Sequence, residues 1–177
     1  LAVLRERFGG QLVCHAAERE VVEAAAPVDL TFEGRETHLG NLEVIPTPGH
    51  TPGSACFLLR SPHGKSYLFT GDTLFIGDVG RPDLAQKMGS LTQEDLAGHL
   101  YDSLHNKIMP LPDDVLVYPA HGAGSACGKN MSKETWDTLG NQKKTNYALK
   151  AGTKEQFIKE VTDGLLPPPA YFPQNVA

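Results

Sequence analysis

Short apolar runs separated by polar, glycine- and proline-rich turns cover most of the chain, and this pattern predicts strands that alternate with helices. We expect strands at residues 11–15, 42–46, 54–59, 66–70 and 115–118. The polar turn at 61–65 joins the third and fourth of these strands into a hairpin. The pattern therefore predicts an α/β or layered α+β class.

Helices are predicted where apolar residues recur at helical spacing or where a capping residue precedes them. We expect helices at residues 1–8, 17–25, 92–105 and 153–161, and a further helix that begins at Ser132. Thr153 is the predicted cap of its helix, with Gln156 in the capping-box position. Residues 77–89 are predicted to form a long loop, and residues 165–177 a proline-rich extended segment that leaves the domain.

The composition is that of an ordinary globular chain, and it excludes several kinds of partner. The 177 residues are 40% hydrophobic and 21% charged, enough for one domain with a sizeable core. The formal net charge of -5 disfavours nucleic acid as a partner, and no apolar run approaches the length of a membrane span. Three widely spaced cysteines (Cys14, Cys56 and Cys127) favour a reducing compartment, so we expect a cytoplasmic protein.

Two histidines and one aspartate follow predicted strands, each close to glycine or proline. His50 lies in Thr-Pro-Gly-His-Thr-Pro-Gly, Asp72 in Thr-Gly-Asp-Thr and His121 in Tyr-Pro-Ala-His-Gly. Imidazole and carboxylate groups are ligands that divalent transition metals prefer, and glycine and proline hold ligand loops in a fixed shape. Taken singly, each residue is an ordinary loop or turn residue. Three such residues at strand ends in one chain indicate a metal site.

Four further residues are candidates with ordinary alternatives. Arg81, in Gly-Arg-Pro-Asp, either forms a turn ion pair with Asp83, or supports the metal site or captures an anionic substrate. Tyr118 and Lys129 are candidates for substrate contact, with a core aromatic and a surface cation as the alternatives. Cys127 lies in a glycine-rich loop and is the cysteine with a candidate chemical role. The remaining histidines are interpreted as structural or solvated.

These motifs resemble those of the metallo-β-lactamase fold superfamily over nearly the whole chain. Residues 69–72, 80–84 and 118–128 are most similar to persulfide dioxygenases, and above all to those fused to a rhodanese domain. The resemblance implies an αββα sandwich. The superfamily also carries an early His-x-His-x-Asp-His motif, which does not occur in this sequence. We therefore expect residues 1–177 to be a single domain that corresponds to the C-terminal two-thirds of the usual one, with its N-terminal side incomplete.

The resemblance implies oxidation of glutathione persulfide by dioxygen, giving sulfite and glutathione at a mononuclear non-haem Fe(II) site. His50 and Asp72 would be two of the three iron ligands, and the third would come from the early motif. His121 would either contact the iron ligands without binding the metal or lie at a second metal position. The partner implied is a small-molecule thiol or persulfide; a homodimer and a fused or associated rhodanese domain are left open.

The resemblance also implies roles for the other candidates. Arg81 and Tyr118 would be catalytic, and Arg81, Cys127 and Lys129 would contact the substrate. One alternative is a thioester hydrolase of glyoxalase II type with two Zn(II) ions, in which Asp72 bridges the metals. Another is an inactive scaffold or fragment, because two remaining ligands of a metal position rarely hold a transition metal firmly.

Overall fold

The computed structural model describes residues 2–38, 40–85 and 91–167, and its N-terminal part is a small βα unit. It contains helix α1 (Ala2–Phe8), strand β1 (Val13–His15), a 3-10 turn (Ala16–Glu18), helix α2 (Arg19–Glu23) and strand β2 (Leu30–Phe32). The two strands pair in parallel. The elements expected at 1–8, 11–15 and 17–25 are thus present, although α2 is shorter than predicted.

A six-stranded mixed sheet forms the centre of the molecule. Its strands are β3 (Glu36–His38), β4 (Leu42–Pro46), β5 (Ala55–Arg60), β6 (Ser66–Gly71), β9 (Leu116–Pro119) and β10 (Asp137–Thr138). The order across the sheet is β10-β9-β6-β5-β4-β3, and the β6–β9 pair is parallel whereas the other pairs are antiparallel. The predicted β5–β6 hairpin is confirmed. Because β6 and β9 run in the same direction, the residues that follow them emerge at one edge of the sheet.

Residues 77–89 do not form one long loop, as the sequence had suggested. Strands β7 (Leu74–Phe75) and β8 (Asp78–Val79) make a tight antiparallel hairpin, and Gly77 at its turn has a φ of 80°, which glycine adopts freely. All four strand residues are buried, so packing against the core fixes the hairpin. The end of the predicted loop, residues 86–89, lies outside the described residues.

Helices cover one face of the central sheet. They are α3 (Gln93–Ser103), a π-helical continuation (Leu104–Ile108), α4 (Leu139–Thr145) and α5 (Lys154–Thr162). The core lies between them and the inward-facing side chains of the strands, such as Leu58, Leu68 and Val117, with Leu100 and Phe157 from the helices. Burial of these side chains holds the helical layer on the sheet. The α/β class predicted from the sequence is confirmed.

The helix predicted to begin at Ser132 is not formed. Residues 132–136, all described, are irregular, and α4 begins only after Thr138. The Thr138 hydroxyl accepts a hydrogen bond from Asn141 N at 3.2 Å and so caps that helix, whereas Ser132 donates to Glu134. By contrast, Thr153 caps α5 as predicted, accepting from Gln156 N at 3.1 Å. Of the predicted exit segment 165–177, residues 168–177 lie outside the described residues.

The opposite face of the sheet carries partly exposed aromatic side chains, which we call the aromatic face (Phe57, Tyr67, Phe69, Tyr118 and Trp136). Phe57 and Phe69 lie opposite each other on β5 and β6, and the Tyr118 ring contacts Phe69 at 5.8 Å and Trp136 at 6.5 Å between centroids. Side chains alternate between the two faces of a strand, so the residues buried under the helices and the aromatic-face residues other than Trp136 come from the same strands. None of the helices in the described part of the chain combines the length and apolar character needed to cross a bilayer.

Helix α3 begins with a complete capping box, and its removal is expected to destabilise the fold measurably. Thr92 Oγ1 accepts from Asp95 N at 3.1 Å, and Thr92 N donates to Asp95 Oδ2 at 3.0 Å. We expect Thr92→Ala to lower the free energy of unfolding by about 1 kcal/mol, measured by urea denaturation. Thr92→Ser keeps the hydroxyl and should retain most of the stability. An equal loss in both variants would contradict this role for the cap.

Candidate metal centre

His50 lies in the loop after β4, buried at 9% exposure. Its Nδ1 is 2.9 Å from the carbonyl oxygen of Arg81, and because a carbonyl can only accept, Nδ1 carries the proton. Nε2 is therefore the ring nitrogen that could bind a metal, in the orientation fixed by that hydrogen bond. The preceding Gly49 is packed against helix α3, where an added Cβ would come within 2.5 Å of Leu100 Cβ. The loop is therefore held by both the helix and the strand edge.

Asp72 follows β6 directly, after Gly71 with its φ of 52°. Its Oδ2 lies 3.3 Å from His50 Nε2, and its Oδ1 lies 2.9 Å from His121 Nδ1. Despite that approach, the buried Oδ1 makes no well-directed hydrogen bond within the described part of the chain. Burial raises the pKa of Asp72, but its interactions with His50 and His121 outweigh burial and bring the pKa below its ordinary value. The carboxylate thus stays charged, and its Oδ1 approaches His121 without a well-directed hydrogen bond from any described residue.

His121 follows β9 at the same edge of the sheet and is more accessible, with a side chain 40% exposed. Its ring packs against Phe75 of the β7–β8 hairpin at 6.1 Å between centroids. The structure therefore brings all three predicted ligands together, but the two histidines approach opposite oxygens of Asp72. The carboxylate stands between two positions, one beside His50 and one beside His121.

Cys127 lies in the loop after His121, and its sulfur lies near the position beside His50. One ligand atom each of His50, Asp72 and Cys127 lies within 4.8 Å of the others, the one such group of three found among the residues described. Burial raises the pKa of the Cys127 thiol, and the charge of Asp72 adds to this effect. Without a metal the thiol is therefore neutral. The sequence marked Cys127 as a candidate for substrate contact and did not place it beside the ligands.

Arg81 contacts both the loop that carries His50 and the loop that carries Cys127. Its guanidinium makes the ion pair with Asp83 predicted from the sequence, at 2.8 and 2.6 Å, and also donates to the carbonyls of Ala126 at 3.3 Å and Leu166 at 2.7 Å. Its main chain accepts from His50 and donates to Cys127 O at 3.0 Å. With a side chain 4% exposed, Arg81 holds the loops around the site together in this structure, and its catalytic and substrate-binding roles stay predictions.

Tyr118 and Lys129 lie further from the ligands. The Tyr118 ring belongs to the aromatic face, where its described ring contacts are with Tyr67, Phe69 and Trp136. Lys129 Nζ donates to the carbonyls of Glu160 and Asp163 at the end of helix α5, where a cation also meets the negative end of the helix dipole. Their catalytic and substrate-binding roles stay predictions.

Asp78 is a buried carboxylate that sequence reasoning missed. Its Oδ2 accepts from Lys129 N at 2.7 Å and Asn130 N at 2.6 Å, and its Oδ1 accepts from Tyr147 Oη at 2.9 Å. It anchors the loop that carries Cys127 to the β7–β8 hairpin. Burial and the Asp78 charge together raise the pKa of Tyr147. In the sequence, Gly77-Asp78 reads as a turn, and nothing local indicates that this aspartate is buried.

The residues present fit a divalent transition metal. His50 offers an oriented Nε2, Asp72 a charged carboxylate with one buried oxygen that accepts no well-directed hydrogen bond from the described residues, and Cys127 a sulfur. Nitrogen and sulfur donors favour zinc or iron over magnesium or calcium, which prefer oxygen atoms alone. The arrangement defines an α/β protein with a candidate metal site at the edge of its sheet.

The chain belongs to the metallo-beta-lactamase superfamily, whose sequence profile matches residues 2–121. It is 35% identical over 149 residues to the mitochondrial persulfide dioxygenase ETHE1 of Mus musculus, covering 82% of this chain and 51% of that protein. It is 33% identical over 109 residues to the hydroxyacylglutathione hydrolase GloC of Haemophilus influenzae, covering 62% of this chain and 41% of that protein. The chain therefore spans about half, or less, of the length of these relatives.

Solved structures agree with the family and with its fold. A metallo-beta-lactamase from Staphylococcus aureus superposes with a TM-score of 0.78 at 30% identity, over 98% of this chain and 52% of that one. ETHE1 from Myxococcus xanthus superposes with a TM-score of 0.71 at 27% identity, over 99% of this chain and 69% of that one. The metallo-β-lactamase fold expected from the sequence motifs is confirmed.

Proposed function

We propose that this chain carries the metal site of a persulfide dioxygenase, which oxidises glutathione persulfide with dioxygen to sulfite and glutathione at one Fe(II). The observation that carries the proposal is the pairing of His50 Nε2 with Asp72 Oδ2 at 3.3 Å, next to a carboxylate oxygen that accepts no well-directed hydrogen bond from the described residues. Two histidines and one carboxylate are the ligands of many non-haem iron oxygenases, and here the chain supplies one histidine and the carboxylate. The similarity to relatives named as persulfide dioxygenases supports this choice within the family.

The residues of this chain prepare the site for the metal. His50 and Asp72 would hold Fe(II), which when bound supplies the one-electron chemistry that dioxygen requires and that side chains lack. The Arg81 carbonyl fixes the tautomer and direction of the His50 ring. Asp72 remains ionised at neutral pH because its pKa is lowered by the two histidines against the effect of burial. The carboxylate therefore does not have to lose a proton to bind the ion.

A cavity next to the site has the size of a substrate pocket. It has a volume of about 690 Å³, within the usual range for small-molecule sites, and Arg81, Lys129 and residues 124–126 contribute to its walls. Cys127 lies between two residues of that wall, Ala126 and Gly128. We place the glutathione part of the substrate here, with Lys129 as the cation for its carboxylates and Cys127 beside the persulfide sulfur.

Oxygen uptake by the iron-loaded chain tests the proposal. We expect the chain, loaded anaerobically with Fe(II), to retain one iron and to consume dioxygen when glutathione persulfide is added, with release of sulfite. Glutathione without the persulfide sulfur is the matched control and should give no uptake, because it has no terminal sulfur to oxidise. A fully iron-loaded chain that leaves glutathione persulfide unchanged would overturn the proposed reaction.

A second candidate is a dinuclear thioester hydrolase, and one feature of the site favours it. His50 and His121 approach opposite oxygens of Asp72, the geometry that a carboxylate bridging two metals would need. The hydrolase GloC is among the relatives. Two Zn(II) ions per chain with cleavage of a glutathione thioester would favour this reading. Failure to bind either metal would leave the scaffold without activity that the sequence also allowed.

The remaining predictions concern partners and location. A small-molecule persulfide is the substrate partner in the proposed reaction, whereas a second copy of the chain and a rhodanese domain stay predictions. Cytoplasmic localisation also stays a prediction; the Mus musculus relative is named as mitochondrial.

A further inference from the structure

We propose that the Cys127 thiolate is a third protein ligand of the metal held by His50 and Asp72. The inference rests on the metal position of the proposed function, but it does not depend on the reaction. One ligand atom from each of the three residues lies within 4.8 Å of the other two. In the tetrahedral geometry of zinc, bonds of about 2.0–2.3 Å place two donors about 3.3–3.8 Å apart, so side-chain shifts of about 1–1.5 Å at most close the site.

The loop that carries Cys127 is held in place on both sides of the cysteine. Before it, the Arg81 guanidinium donates to Ala126 O at 3.3 Å. After it, Asp78 Oδ2 accepts from the main-chain N–H groups of Lys129 and Asn130. A residue fixed by buried contacts on either side loses little further freedom when it binds an ion, which favours ligation.

Arg81 joins this cysteine to the histidine across the site. Its carbonyl orients the His50 ring at 2.9 Å, and its N–H group donates to Cys127 O at 3.0 Å. One peptide segment therefore sets the positions of two ligands relative to each other. This arrangement is expected of support behind a metal site, where outer contacts determine how the ligands are aimed.

The chemistry of the group is also suitable. A thiolate is a strong ligand for zinc and iron, and the thiol would release its proton to solvent as the metal binds. Together with one imidazole and one carboxylate it gives three protein ligands, the number that catalytic zinc sites commonly have, with a position left for substrate. His121 meets the other oxygen of Asp72 and would then lie outside this ligand set.

Cobalt substitution tests the sulfur ligand without reference to activity. We expect the Co(II)-loaded chain to show a thiolate-to-cobalt charge-transfer band in the near ultraviolet. We expect Cys127→Ser to lose it and to bind the metal at least about 100-fold more weakly, the upper end of losses for outer-shell changes. Cys14→Ser, which removes a cysteine in β1 that is not part of this ligand group, should keep both the band and the affinity. In the zinc form, X-ray absorption should show one sulfur at about 2.3 Å, absent in Cys127→Ser.

The outcomes separate this inference from the proposed reaction. A sulfur ligand in a chain that does not oxidise persulfide would support the inference and count against the dioxygenase. Oxygen uptake by a chain whose metal has only nitrogen and oxygen ligands would support the dioxygenase and overturn the inference. A band that persists in Cys127→Ser, or a chain that binds no metal, would also overturn it.

Discussion

Asp72→Asn is expected to abolish iron binding and, with it, oxygen uptake on glutathione persulfide. Asparagine keeps the size of the side chain but removes the negative charge that the divalent ion requires. Asp72 lies between His50 and His121, so its loss affects both metal positions at once. We expect the iron affinity to fall by at least about 100-fold, because the loss of a residue that only hydrogen-bonds to a metal ligand already lowers metal affinity by up to about 100-fold. Iron content after gel filtration and oxygen consumption measure the two losses.

Asp114→Asn is the matched control for this substitution. Asp114 is exposed on the loop before β9, and its charge change is the same. It should leave iron content and oxygen uptake unchanged. Circular dichroism of both variants checks that the fold is retained, since asparagine fits the space of aspartate. Full iron content and turnover in Asp72→Asn would show that the metal is held elsewhere.

Gly80→Ala is the second substitution expected to have a large effect, because it disturbs two ligands through the backbone. A Cβ at this position would lie 1.8 Å from Asp72 O and 3.2 Å from His50 Cβ. The contact at 1.8 Å is with backbone, which has little freedom to move away. We expect the free energy of unfolding to fall by about 1–3 kcal/mol or more, as for other overpacked positions, and the metal affinity to fall with it. Urea denaturation and cobalt titration measure the two effects.

Gly34→Ala provides the comparison for that prediction. A Cβ at Gly34 would meet no described atom within 4 Å, so its effect on stability should stay within about 0.5 kcal/mol and metal binding should be unchanged. If Gly80→Ala changed stability and metal binding as little as Gly34→Ala, the close contact of Gly80 with the main chain of Asp72 would be contradicted. If stability fell while metal affinity stayed normal, the turn would hold the fold without holding the ligands.

The parts of the fold that sequence predicted well are those in which local signals are strong. The bounds of β4 and the capping of α5 by Thr153 follow from an apolar run and a capping residue. Prediction failed at Ser132 and at the β7–β8 hairpin. Ser132 is predicted to begin a helix, but its hydroxyl donates to neighbouring Glu134 instead. The segment around Gly77 forms two paired strands because the side chains of β7 and β8 are buried. Burial depends on the rest of the fold and leaves little trace in so short a segment.

By itself, the sequence determined the class of fold and three metal-ligand candidates, His50, Asp72 and His121, because each is a ligand residue type at the end of an apolar strand. Only the tertiary structure decided how these residues are divided between the two positions around Asp72. It set the two histidines on opposite oxygens of Asp72 and brought Cys127 beside His50 and Asp72 through the Arg81 segment. These relations depend on the parallel pairing of β6 with β9, which brings segments far apart in the chain to one edge of the sheet. A local pattern of residue types carries no such information about distance.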